Sequence, residues 1–527
     1  MPFAVIQAGT SLQSISTAGA LTTLTLPTGV TLSSSLAPRF AIFNRYVVMV
    51  NSSSRPITID AAGTVRPLTP KTPATKMTLA TSGSSTLSGT FLAKQTFLIL
   101  DDDGNIIAES DYGPLSGSSG AITSAFLSAS DIDLSTDTSS ISGSRLYRTV
   151  TLGDGSTLFP WVDLDGNTQI SVIDDLADAS LSLVAAPTLG AAPDLTLIAE
   201  WRGRLWGAAR NRIDYIRWSE AGLMYAWPAT NEALVPKLGA DSRGVIALAA
   251  RKEALGIGRR NGIHQVVGTE TNNFRIIKVA ENAGIESQES VAVHKDEAFF
   301  LWKDGVYQWG AGGLKNISDG SVRSWFTTDT YFNRARFQYA FAMIDTNRLK
   351  YRLFLANAGD SVENRWVEYD LQDKTWWGPH KTDAVTTLTS AFIIPDADDV
   401  LLPVIGNSTG YVWKEQSTAT DSTATGIAFD ALTKFHDENT PDIEKYWGHL
   451  SVLGKAQSAG TLTITPTVGY LNASAGTAIS HTMSTGREKL RRLGRGKMVR
   501  LNLTHSTAGQ PVEIYGYEIP NHEIGRR

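Results

Sequence analysis

The 527-residue chain contains no cysteine. That excludes a disulfide framework, a thiolate zinc site, an iron–sulfur cluster and a cysteine nucleophile. No apolar run approaches the ~18 to 20 residues needed to cross a bilayer, so no stable membrane insertion is expected. The opening MPFAVIQAGTSLQSISTAGALTTL lacks the basic segment and compact apolar core of a signal peptide. Charge of one sign is scarce too: 47 Lys/Arg against 52 Asp/Glu give −5, with no bulk attraction to nucleic acid or anionic membrane. No P-loop is present. The eight histidines (His264, His294, His380, His436, His449, His481, His505 and His522) include no His-Glu-x-x-His spacing. Gly256-Ile-Gly258 precedes a hairpin turn rather than a helix, which removes a phosphate cradle. The expectation is a soluble, cytosol-made, multidomain protein without a cofactor, held together by packing.

The residues that are present divide the chain. Residues 1–197 carry nine Lys/Arg against sixteen Asp/Glu and one of the 13 tryptophans; the remainder sums to +2 and holds the other twelve. Ser, Thr and Gly crowd the first part, as in Thr81 to Ser88 and Ser116 to Gly120. The stretch Pro187 to Pro193, with Gly190–Ala192 inside it, reads as a linker. Short runs rich in β-branched and aromatic residues recur: Phe40–Asn51, Arg55–Asp60, Phe97–Leu100, Ile106–Glu109, Arg145–Thr151 and Thr168–Val172. Helical periodicity is weak, with Asp175–Leu183 and Val322–Phe332 the best short candidates.

The second half repeats itself. RIDYIRWSE (from Arg212), GIHQVVG (from Gly262), GVYQWGA (from Gly305), RWVEYD (from Arg365) and GYVWKEQ (from Gly410) are short alternating strands, most of them following a tight turn. Asn261-Gly262 and Asp304-Gly305 predict two-residue hairpins. A spacing of about 40 to 60 residues suits four-stranded propeller blades. One blade cannot bury both faces, whereas a ring of blades stacks each face on a neighbour. Trp206, Trp218, Trp302, Trp309, Trp366 and Trp413 suit the wedges between blades. The expectation is therefore an all-β chain. Residues 1–67 supply N-terminal propeller strands, 68–190 an inserted immunoglobulin- or fibronectin-like β-sandwich, 191–424 the further blades, and 425–527 a β-rich closing region. Five repeats plus the Phe40–Asp60 pair predict six blades.

Three longer segments carry a resemblance: Phe40–Pro70, Ile198–Asn231 with Trp218-Ser219 and Trp227-Pro228…Asn231, and Trp366–Pro379 with its YDLQDKTWW unit. Together with SGSRLYRT (Ser142–Thr149), the Gly494–Arg500 run and the ending VEIYGYEI, they resemble the tail nozzle (tail tubular protein B, or stabilisation protein) family of short-tailed bacteriophages. The resemblance implies a virion protein made in the host bacterial cytoplasm. It implies six copies in a ring, double-stranded DNA passing through the lumen without sequence-specific binding, a face docked on the head-to-tail adaptor, and sites for tail fibres. A glycan-binding or glycan-degrading propeller, another tail-hub or adaptor-associated protein, and a non-viral propeller scaffold remain alternatives.

Candidate chemistry is sparse. Asp101–Asn105 and Asp163–Asn167 repeat Asp-x-Asp-Gly-Asn, but without the later acidic ligand of a calcium loop, and an Asp-Gly turn explains both. Asp370–Trp376 resembles the structural Asp-box turn of sialidase-like propellers. His436 beside Asp437 and Glu438 reads as a surface cluster. A pair of carboxylates for glycoside cleavage cannot be placed from sequence. The densest charge lies in REKLRRLGRGKMVR (Arg487–Arg500), seven basic residues and one acid. Arg487, Arg491, Arg492, Arg495 and Lys497 are the candidate interface, expected to meet an acidic protein partner in preference to DNA, since no aromatic residues interleave them. The plain alternative is a strand whose cations discourage edge pairing.

Overall fold

The computed structural model describes every residue except 1, 17, 52–53, 139, 183, 240–242, 383–385, 396–399, 416–419, 422–424, 471–472, 509, 511 and 525–527. The chain divides into two compact units: one runs to His380 and takes in Thr387–Lys414, and the other comprises residues 381–386 and everything from Glu415.

Seven antiparallel sheets build most of the first unit. Blade 1 is Pro2–Ala8, Ser11–Ser16 and Leu21–Leu24; blade 2 is Arg39–Phe43, Tyr46–Val50, Ile57–Ile59 and Val65–Pro67. Blade 3 is Leu195–Trp201, Arg204–Ala209, Tyr215–Trp218 and Glu232–Leu234; blade 4 is Ala247–Ala250, Leu255–Arg259, Gly262–Val267 and Arg275–Ala280. Blade 5 is Ala292–His294, Glu297–Trp302, Gly305–Gly310 and Gly313–Asn316; blade 6 is Phe341–Asp345, Lys350–Ala356, Glu363–Asp370 and Trp376–His380. Blade 7 is Leu388–Pro395, Leu401–Asn407 and Val412–Lys414. From blade 2 to blade 7 the first strand of each sheet touches the first strand of the next, and that of blade 7 meets Pro2–Ala8. Blade 1 in turn packs Leu12 and Leu24 on Met49 and Ile57 of blade 2, which closes the circle. The fold is a β-propeller, and among the described residues the expected six blades become seven. All six sectors read from sequence are present; the Ser/Thr-rich opening strands add the seventh.

Each repeated segment found in the second half is the third strand of its blade. Its alternation is physical, because one face meets the preceding blade and the other the following one. Trp201, Trp206 and Trp218 of blade 3 form one core with Leu248, Leu255 and Ile257 of blade 4. Trp302 and Trp309 of blade 5 fill the next wedge against Ala247 and Ile263. Trp309 packs so closely that a Cβ on Gly256 would lie 2.3 Å from its ring. Two tryptophans depart from expectation: Trp366 is half-buried and Trp413 is exposed on the outer strand of blade 7. The hairpins fall one residue earlier than expected. Arg259 faces Gly262 across Arg260-Asn261, and Gly262 keeps a negative φ, its lack of a side chain serving instead to admit Leu238. The helical candidates shrink to a 3-10 turn at Asp178–Ser180 and five α-helical residues, Arg323–Thr327.

Between blades 2 and 3 the chain builds a sandwich. One sheet orders Ile106–Glu109, Ala93–Leu100, Gly143–Arg148 and Phe159–Asp165; the other orders Val172–Asp174, Phe126–Ser130 and Thr78–Ser82. Phe91, Leu127, Leu146, Trp161 and Leu164 lie in the core between them. The sandwich is no loose appendage. Phe97, Ile99 and Ile107 share a second core with Phe43 and Val48 of blade 2 and with Leu195, Leu205 and Trp227 of blade 3. The segment read as a linker is part of this junction. Leu189 is buried in the core, and Gly190 accepts the Trp227 amide at 2.9 Å with no room for a Cβ, which would lie 2.3 Å from the Trp227 carbonyl oxygen.

Glu109, on the strand that faces this junction, is 2% exposed and accepts hydrogen bonds from Thr96 (2.7 Å) and Tyr147 (2.6 Å). Burial pushes its carboxyl up from the usual range, against those hydrogen bonds. The folded state therefore holds this proton more tightly than the unfolded chain, and stability drains away as pH rises through the raised value. Glu109→Gln is expected to melt within about 1 kcal/mol of the parent at pH 4 and to be the more stable of the two at pH 8. Paired melting curves across that range check it; parallel pH profiles would contradict it.

The second unit is also a sandwich. One sheet orders Phe429–Leu432, Met498–His505, Thr461–Gly469 and Ile479–Thr482; the other orders Arg487–Gly496, Lys445–Gly454 and Ile514–Glu518, with Asn521–Glu523 also on the middle strand. Trp447, Leu450, Ile464, Val499 and Leu501 fill its core.

Candidate interaction surface

The basic run forms the edge strand Arg487–Gly496 of the second unit. Leu490 turns into the core, while Arg487, Lys489, Arg491, Arg492 and Arg495 are exposed. A register shift opposite His449–Ser451 breaks strict alternation and lets the adjacent Arg491 and Arg492 both reach the surface. Across the sheet, Arg495 lies opposite Tyr446, which lies opposite His522; Arg492 opposite His449; and Lys489 opposite Ser451, itself opposite Glu518.

The arginines are not equivalent. Arg487 forms a 3.3 Å rim pair with Glu518, both well exposed, so the pair contributes little. Arg491 donates to the Thr477 carbonyl at 2.7 Å. Arg492 donates Nε to His449 Nε2 at 3.1 Å, and His449 Nδ1 lies 2.7 Å from the Leu490 carbonyl oxygen. This pair of bonds selects the tautomer with hydrogen on Nδ1 and holds Arg492 on the outer face. Lys497 lies just beyond the strand, 4.8 Å over the Tyr470 ring. Lys489 belongs with the set although sequence reading passed over it; its position two residues from both Arg487 and Arg491 was the available signal.

The propeller centre, where a ring of blades would place chemistry, is braced instead. Arg39 of blade 2 sets Nη2 2.8 Å from Glu289 in the 3-10 turn entering blade 5, and donates Nη1 to the Thr196 carbonyl at 2.7 Å. Blades 2 and 5 are not neighbours, so this contact runs through the interior of the ring. Gln288 adds hydrogen bonds to the amide (2.6 Å) and carbonyl (3.1 Å) of Leu248 in blade 4. Glu289 is thus neutralised by a cation and oriented by the Ser287 hydroxyl at 2.9 Å.

The acidic turns are turn chemistry. The amide and side chain of Asn105 (2.7 Å to Oδ1 and 3.1 Å to Oδ2), and then the amide of Asp103 (3.0 Å), donate to Asp101 and hold its carboxyl below the usual range. Asn167 is engaged by both backbone groups of Ser135. Asp370 caps the amides of Gln372 (2.8 Å) and Asp373 (2.9 Å), and Trp376 packs on Tyr369 at 5.0 Å. His436 meets the Tyr517 hydroxyl at 2.5 Å. Among the described residues no group of three or more His, Asp or Glu could hold a metal ion. A cleft of about 420 Å³ opens between the Asp101–Asn105 turn, the Phe43–Tyr46 hairpin and Gly222–Tyr225.

No protein-family model matches the chain, and no curated protein matches it. Solved structures align loosely. An exo-β-1,3-galactanase from Phanerochaete chrysosporium aligns at a TM-score of 0.23 with 8% identity, over 61% of this chain and 95% of that one. PorZ, a surface component of the type-IX secretion system of Porphyromonas gingivalis, aligns at 0.27 with 10% identity, over 98% and 79%. The extracellular domain of a putative hybrid two-component system from B. thetaiotaomicron aligns at 0.26 with 9% identity, over 99% and 77%. Likeness at this level carries no argument about activity.

Proposed function

We propose that this chain is a structural protein of a short-tailed bacteriophage, assembling into a tail nozzle ring that conducts DNA and carries adaptor and fibre contacts. The observation that carries the reading is the fused core: the inserted sandwich and blades 2 and 3 share one buried cluster, and an ion pair braces the propeller centre. Such a unit resists deformation because close-packed interiors have low compressibility and transmit strain, as the wall of a pressurised conduit requires. With the propeller centre spanned by Arg39 and Glu289, the DNA path belongs between copies rather than through one. The net acidic charge suits a wall along which a duplex slides, since fixed cations would bind phosphate with steep salt dependence. The test is cryo-electron microscopy and mass spectrometry of purified particles. A ring of these propellers at the distal end of the tail is expected; absence of the chain from tailed particles would end the proposal.

A second reading, glycan binding or cleavage, is favoured by exposed aromatics on the outer strands of blades 6 and 7. Trp377 is 54% exposed, and Tyr411 and Trp413 stand 6.4 Å apart at 65% and 39% exposure. Release of reducing sugar from host surface polysaccharide would support it, and alanine at both Tyr411 and Trp413 would then abolish polysaccharide retention. An unchanged retention time for the parent protein on a polysaccharide column would dismiss it.

A further inference from the structure

We propose that the cationic sheet of the second unit docks on the acidic end of the inserted sandwich of another copy of this chain. The inference supplies a partner for the interaction surface and rests on the ring reading above.

Residues 68–190 carry fourteen Asp/Glu against five Lys/Arg, a balance of −9. The fold gathers part of this charge. Leu98 lies opposite Gly143, which lies opposite Asp165, so the turn after Leu100 and the end of Phe159–Asp165 occupy the same end of one sheet. Asp101, Asp102, Asp103, Asp163 and Asp165 therefore share that end; both Asp-x-Asp-Gly-Asn motifs meet there. Asp102, Asp103 and Asp165 are exposed and their carboxylates make no ion pair among the described residues, whereas Asp163 is held by Arg145 at 2.6 Å. The 420 Å³ cleft opens beside them; Asp101, Asp103, Asn105, Tyr46 and Tyr225 are among its lining residues, of which Arg45 is the one cation. Carboxylates and aromatic rings lining one cleft match a guanidinium, which pairs with the first and stacks on the second.

The complementary surface carries Arg487, Lys489, Arg491, Arg492 and Arg495 on one strand. Arg492 is already oriented by His449, and Lys489 and Arg495 pair with no carboxylate among the described residues. The two surfaces are different patches of one chain, so a contact between copies is heterologous. Repetition of a heterologous contact closes a ring when the rotation allows.

Charge reversal gives a test that needs only purified protein. Arg491→Glu/Arg492→Glu/Arg495→Glu in one variant, and Asp102→Lys/Asp103→Lys in another, alter exposed side chains and should retain the parental melting curve. Each alone is expected to weaken self-association by about a hundredfold or more at low salt, read by analytical ultracentrifugation. Mixed one to one, the two variants present opposite charges at every contact, and assembly should return. Three results would overturn the proposal: a monomeric parent at 100 μM, wild-type association in either variant, or failure of the mixture to recover. Loss of the virion assignment with recovery in the mixture would sink the nozzle reading and leave the contact standing.

Discussion

Trp206→Ala is expected to destabilise the first unit by about 3 to 5 kcal/mol, the usual range for truncating a fully buried large aromatic. Trp206 has no exposed surface; its indole donates to the Trp201 carbonyl at 3.1 Å and its ring meets Trp201, Trp218 and Phe274 at 5.7, 4.9 and 4.9 Å. Trp218 stands opposite it on the neighbouring strand, and Phe274 comes from the approach to the last strand of blade 4. The cavity left by alanine would lie in the wedge between two blades, where neither sheet can collapse without disturbing its own ladder. Trp377→Ala supplies the contrast. That ring is 54% exposed, and its loss should stay within about 0.5 kcal/mol. Chemical denaturation of both variants, followed by circular dichroism, decides the matter. Equal midpoints would show that the tryptophans of the blades are not the wedges they are taken to be.

Much of this architecture could be read before any coordinates, and what could not has identifiable causes. The third strands were legible because they combine tight turns with alternating aromatic character, as in Gly262–Val267 and Gly305–Gly310. Blade 1 was not, because its second and third strands, SLQSIS and LTTL, are Ser- and Thr-rich and bury only Leu12, Ile15 and Leu24 as apolar residues, too few to show a period. Pro187–Pro193 looked like a linker because composition reports chain stiffness and polarity, while the close approach of Gly190 to Trp227 depends on a contact across the fold. The cationic strand was visible as a run of charge. Its organisation was hidden, since the Arg492–His449 pair joins residues 43 positions apart. The acidic end of the sandwich was half visible: both Asp-Gly turns stood out singly, and only the strand register of the insert brings them to one place.

Arg148→Ala is the second large effect, expected to cost about 3 to 5 kcal/mol, because it strands the partners of a buried cation. The guanidinium has no exposed surface. Nη1 donates to Asp178 at 2.7 Å and to the Thr149 carbonyl at 2.9 Å, Nη2 donates to the Leu176 carbonyl, and the group lies 4.7 Å over the Phe91 ring. It ties the strand Gly143–Arg148 to the Asp178–Ser180 turn, and the Thr151 amide adds a 2.8 Å bond to the same carboxylate. Arg148→Met would restore contact with Phe91 and recover part of the loss, leaving the unmet carbonyls as the remainder. Burial alone would raise the Asp178 carboxyl, but the bonds from Arg148 and Thr151 bring it below the usual range. Its contribution is therefore complete above the unfolded value near ~4 and lost as pH falls through the lowered one. Glu109, in the same sandwich, has the opposite sign. Asp178→Asn should flatten the acid side of the stability profile while Glu109→Gln flattens the side above it, and the double variant should show both changes independently. An acid limb that survives Asp178→Asn would place the responsible carboxylate elsewhere and remove Arg148 from the account of why this sandwich holds.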